Sequence, residues 1–153
     1  MISPIRSREF ITKDDIVKAL KKINYALKPY DIVLIRTDSD KLWGKRAYFE
    51  DHPGMSAEAT TYLLDQGIKN IGVDMFGFDR PFKAMGDDYK RTKDKKYLWP
   101  AHFVGKDREF IHYERLTHLD QIPVPHGFIF VGAPFVIEGA SAGWTRAFAI
   151  VEK

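Results

Sequence analysis

The 153-residue sequence contains no cysteine. That excludes disulfides, thiolate nucleophiles and cysteine-ligated zinc, so any metal must be held by histidine, aspartate or glutamate. No apolar run approaches the ~20 residues of a membrane helix, and the N-terminal MISPIRSREF lacks the apolar core of a signal peptide. These two absences set the expectation of a cytoplasmic protein with no membrane partner. H-E-x-x-H, G-x-G-x-x-G, the P-loop and the G-x-S-x-G elbow are all missing. An excess of one charge is also missing. The net charge is only +3, and the most basic stretch, Lys83 to Lys96, includes Asp87, Asp88 and Asp94. It reads as a solvated loop, with no nucleic-acid partner expected.

What is present describes a globular chain. A hydrophobic fraction of 44% and an aromatic fraction of 14% are enough to build a core, and the length fits a single domain over residues 1–153. Thr12 is placed to cap a helix, with Asp14 and Asp15 at its positive end. Ile16, Leu20, Ile23 and Leu27 follow as an apolar stripe that ends before Pro29. Residues 31–37 read as a strand buried on both faces. Ser56 opens a second helix that Gly67 stops, and residues 68–75 form another strand, completing a βαβ unit. Residues 81–99 read as a long loop with at most a short helix, and residues 109–119 as a helix. Residues 128–133 and 147–151 close the chain as β-rich runs. The sum is an α/β domain with a mixed sheet and helices.

Candidate chemistry is sparse at this level. His52, His102, His112, His118 and His126 form no helical i, i+4 pair. His102 and Glu114 together can contribute to a hard-metal site but not complete one, because a catalytic zinc uses about three protein ligands plus water. Asp74 and Asp79 flank the end of a parallel strand, where ligands bind in open sheets; equally, both can organise a turn by accepting backbone N–H groups. The stretch from Gly139 to Gly143 fits either a close approach to a ligand or a tight turn, with Ser141 and Arg146 beside it.

Several phrases, in order, carry a resemblance. Pro53-Gly54-Met55-Ser56-Ala57-Glu58-Ala59, then Tyr62-Leu63 and Gly67-Ile68, resembles the PGxSxEAxxYLxxxGI stretch of the cyclase family. Ile71-Gly72-Val73-Asp74 resembles its xIGxD strand, and Phe78-Asp79-Arg80-Pro81 its following turn. His102 and Glu114 resemble its downstream metal-ligand pair, Leu119 to Pro123 its NLDxLP, and Ala140 to Ala147 its closing ASAGWTR segment. The family includes bacterial kynurenine formamidases, which act in tryptophan catabolism, and isatin hydrolases.

The resemblance implies a swivelling β/β/α domain and a hydrolase using zinc or manganese. The expected substrate is a small aromatic amide, N-formyl compound or lactam, hydrolysed by metal-activated water. His102 and Glu114 are the implied metal ligands, and Trp144, Ser141, Phe78 and Arg146 the candidate substrate-binding residues. The family's H-x-G-T-H-x-D-x-P-x-H segment has no counterpart in residues 1–11, so the chain reads as N-terminally truncated. The general-base histidine is expected on that upstream segment, leaving the catalytic residue of this chain unknown and metal occupancy low. Completing the site would take His52, His112 or a partner subunit, whether in a homo-oligomer or from a chain supplying the N-terminal half. The alternative is a non-catalytic truncated domain serving as a small-molecule binder or subunit.

Overall fold

The computed structural model describes residues 8–152, which divide into two compact units, residues 8–120 and 121–152. Twelve named elements span them, with parallel and antiparallel strands among helices, the mixed α/β class expected from the sequence.

In the first unit, β1 (Phe10–Ile11) pairs in parallel with β3 (Gly54–Met55). Helix α1 (Lys13–Lys22) starts as its sequence dictates: the Thr12 side chain accepts the Asp15 N–H, and the Asp15 carboxylate accepts the Thr12 N–H in return. Helix α3 (Ala57–Asp65) is capped by the Ser56 hydroxyl, which accepts from Ala59, and ends at Gly67, whose φ of +83° suits glycine. A parallel sheet runs in the order β2 (Ile32–Ile35), β4 (Asn70–Val73), β5 (Ile111–Tyr113). Its core gathers Ile11, Ile16, Ile35, Leu63, Ile68, Ile71, Val73, Met75 and Phe78, with Ala101 closing one side.

Beyond the end of α1, which falls at Lys22 and leaves Leu27 outside the helix expected to run to Pro29, three expectations need correction. Strand β2 is not buried on both faces: Ile32 is exposed and only Ile35 is fully buried, and β2 has a single strand neighbour among the described residues. Residues 81–99 contain a real helix, α4 (Phe82–Thr92), beyond the short α2 (Ala47–Glu50). Its only buried residue is Met85, so its apolar stripe is too thin to read from sequence. Ion pairs Lys83–Asp87 and Arg91–Asp88 run along it, and Arg80–Asp88 ties it down. The third correction matters most. Residues 109–119 hold strand β5, not a helix, and Leu116 is the only residue of that stretch to become buried.

The second unit is a hairpin of β6 (Ile129–Val131) and β7 (Phe148–Ile150), with Pro134 bridging to Thr145. No residue within it is fully buried. No helix among the described residues is long and apolar enough to cross a membrane.

Candidate metal centre

Two elements bring three donor side chains together. On β5, side chains alternate, so His112 and Glu114 share a face while Tyr113 points away. His112 stands in register with Ile71 of β4, and Glu114 lies just past the carboxyl end of the strand, the edge where parallel sheets place ligands. The short helix α5 (Pro100–Phe103) supplies His102 from a separate element.

The three converge. His102 Nε2 lies 3.7 Å and His112 Nε2 3.4 Å from the same atom, Glu114 Oε1. The two imidazoles meet edge to face, with ring centroids 4.7 Å apart. All three ligand atoms lie within 4.8 Å of one another.

Each is held from behind. Glu114 Oε1 accepts the Phe78 N–H at 2.8 Å, and the fully buried Phe78 ring stacks on His112 at 4.7 Å. Asp79, also buried, accepts from the Ala101 N–H at 2.7 Å, the His102 N–H at 3.1 Å and His102 Nδ1 at 2.5 Å. Phe78 and Asp79 are themselves placed by a close backbone approach. Met55 N–H donates to Phe78 O at 2.8 Å, and a Cβ on Gly54 would lie 2.0 Å from Arg80 N. That approach is the structural reason for glycine in the Pro53-Gly54-Met55 phrase.

The electrostatics favour a cation. Asp79's hydrogen bond raises the pKa of His102 against the opposing effect of burial. Burial pushes Glu114 up, but the His112 contact, the Phe78 N–H bond and the charge of both histidines leave it lowered overall. Two carboxylates, of Asp79 and Glu114, thus flank the two imidazoles. Two imidazole nitrogens and one carboxylate oxygen form a donor set that zinc or manganese accepts, and His102 keeps 39% of its side chain exposed, leaving an open side.

His52 does not join this set. His52 is buried; its Nδ1 bonds to Pro53 O at 2.6 Å, and burial lowers its pKa. Of the substrate-binding candidates, Phe78 lies in the first unit and packs behind His112 rather than forming exposed surface. Ser141, Trp144 and Arg146 belong to the second unit, where all three are exposed. There the Trp144 carbonyl accepts the Phe135 N–H, and a Cβ on Gly143 would lie 2.1 Å from Phe135 O. Gly143 is therefore packed against protein backbone, while Gly139 has open space around it and a φ of +72°. Asp74 and Asp79 both accept main-chain N–H groups, but from segments distant in sequence (Thr37 and Asp38, Ala101 and His102) rather than from their own turn, and Asp79 also grips a histidine.

The Cyclase family profile matches residues 2–80, more than half of the chain. The chain belongs to the cyclase family. It is 27% identical over 152 residues to an isatin hydrolase of Roseibium aggregatum, covering 95% of this chain and 54% of that protein. A crystal structure of an isatin hydrolase bound to the product analogue thioisatinate matches with a TM-score of 0.76 and 27% identity, over 96% of this chain and 55% of the other. A predicted metal-dependent hydrolase from Bacillus stearothermophilus shares the fold at a TM-score of 0.57 and 24% identity, over 91% of this chain and 56% of its own. This cyclase-family chain spans about half the length of the curated relative it matches.

Proposed function

We propose that this chain carries part of the metal centre of a hydrolase that opens a lactam or cleaves an N-acyl or formyl amide on a small aromatic substrate. The observation that carries the proposal is the convergence of His102 Nε2 and His112 Nε2 on Glu114 Oε1 from two separate elements. A relative that acts on isatin, a fused aromatic lactam, supports the substrate class.

His102, His112 and Glu114 would hold the ion. A divalent metal in such a site supplies Lewis acidity toward a carbonyl and lowers the pKa of water toward neutrality. The chain's own residues fix the geometry. The Phe78 N–H orients the Glu114 carboxylate, the Phe78 ring backs His112, and Asp79 anchors His102. The open side of the cluster admits substrate, or further ligands from a second copy or a partner chain.

Elemental analysis of the purified 153-residue chain after dialysis against zinc or manganese tests the site. About one ion per chain is expected, lost in Glu114→Gln. Assays with isatin and an aryl formamide, followed by absorbance, test the reaction. A folded chain that takes up neither metal and turns over neither substrate overturns the proposal.

A further inference from the structure

We infer that Asp79 is a positioning residue: its buried carboxylate fixes the tautomer of His102, so that the Nε2 lone pair faces His112 and Glu114. The role of this tautomer in ligation rests on the metal-centre reading above; the tautomer itself does not.

The inference follows from counting donors and acceptors. An ionised carboxylate only accepts hydrogen bonds, so the 2.5 Å contact between Asp79 Oδ2 and His102 Nδ1 requires the hydrogen on Nδ1. A neutral ring then has its lone pair on Nε2, the atom 3.7 Å from Glu114 Oε1. The opposite tautomer would set the Nδ1 lone pair against a carboxylate oxygen that is 97% shielded from water, since Asp79 keeps only 3% exposure.

Asp79 cannot easily turn away. Pro100 opens α5 and has no N–H, so the first free donors of that turn are those of Ala101 and His102, and Asp79 accepts both. The same carboxylate thus fixes the helix that carries the ring and the ring itself. Its own main chain is clamped by Gly54 and Met55 of β3. A merely structural cap would need the two backbone bonds and not the bond to the ring.

Asp79→Asn changes the two bonds of Oδ2 and can leave that of Oδ1. With its oxygen at the Oδ1 position it still accepts the Ala101 N–H, while an amide nitrogen at the Oδ2 position gives up the His102 N–H bond and would donate to Nδ1, forcing the hydrogen onto Nε2. The experiment is a long-range proton–nitrogen correlation spectrum of the 15N-labelled full chain, metal-free and at alkaline pH, where the ring is neutral. Wild-type His102 is expected to show a protonated Nδ1 and an unprotonated Nε2, and Asp79→Asn the reverse. Zinc affinity of the variant should then fall about 10–100-fold, the usual effect of losing a partner of a ligating histidine.

A wild-type His102 with its hydrogen on Nε2, or with mixed tautomers, overturns the inference without need of any variant. Failure of the wild type to bind zinc, beside a tautomer that inverts as expected, would sink the metal-centre reading and uphold the role of Asp79.

Discussion

Asp74 and Glu114 lie at the carboxyl ends of adjacent strands of one sheet, yet they have opposite surroundings. Asp74 is fully buried and its oxygens are occupied: it accepts from the Thr37 N–H at 2.8 Å, the Thr37 hydroxyl at 2.6 Å and the Asp38 N–H at 2.7 Å. Glu114 accepts one main-chain N–H, and its other neighbours are imidazole nitrogens at 3.4 and 3.7 Å, too long for strong hydrogen bonds. A carboxylate filled by backbone donors fastens a loop. One that faces loosely spaced ligand-type nitrogens retains capacity for an ion. Position at the strand edge is therefore not enough to mark a functional acid; the identity of its donors decides.

The contrast is broken most severely from a distance. Gly54→Ala would drive a Cβ into the main chain at Asp79 and Arg80, 2.3 Å from Asp79 C, where no flexible side chain can yield. We expect a loss on the order of 4 kcal/mol, with the donor cluster dispersed, measured by urea unfolding and zinc titration. Normal stability in this variant would mean that β3 does not clamp the Phe78–Arg80 turn. Next in size is Asp74→Ala, which strands the Thr37 and Asp38 N–H groups and should cost about 3 kcal/mol. Zinc affinity of the molecules that remain folded should be unchanged. A fall in that affinity would erase the distinction between fastener and site.

Much of this was legible in the sequence, and the failure has a definite cause. Thr12, Ser56 and Gly67 mark helix ends through local chemistry, so α1 starts, and α3 starts and stops, where the caps put them, whereas α1 ends at Lys22, well before Pro29. The βαβ order followed from two short apolar runs. His112 was harder to place because residues 109–119 were read as a helix, on which positions two apart point to different sides. On a strand, His-x-Glu is a pair on one face, and β5 makes it one. Strand β5 is only three residues long, and the apolar residues around it fit either period. Asp79 was hidden differently: its partner lies 23 residues away on α5, and no local pattern announces a contact of that span.

Smaller effects sharpen the comparison. Glu114→Gln should lower zinc affinity ~100-fold, about 2.7 kcal/mol, while leaving the unfolding midpoint close to wild type, the mirror image of Asp74→Ala. The smallest effect is a pH slope. Burial pushes Asp74 from an ordinary 3.8 to about 6, only partly offset by its bonds from Thr37 and Asp38. The folded state therefore binds this proton more tightly than the unfolded chain. The stability it contributes is fully present below pH 3.8 and lost as pH rises to about 6, at no more than ~1.4 kcal/mol per pH unit. His102, whose pKa is also raised, acts in a separate window: its contribution holds below its ordinary 6.5 and disappears above. The unfolding free energy of the wild type less that of Asp74→Asn should thus decline between pH 4 and 6, and the same difference taken in a Glu114→Gln background should decline alike. A difference that stays level would assign that proton to another group, and Asp74 would then be a carboxylate kept ionised by its donors throughout.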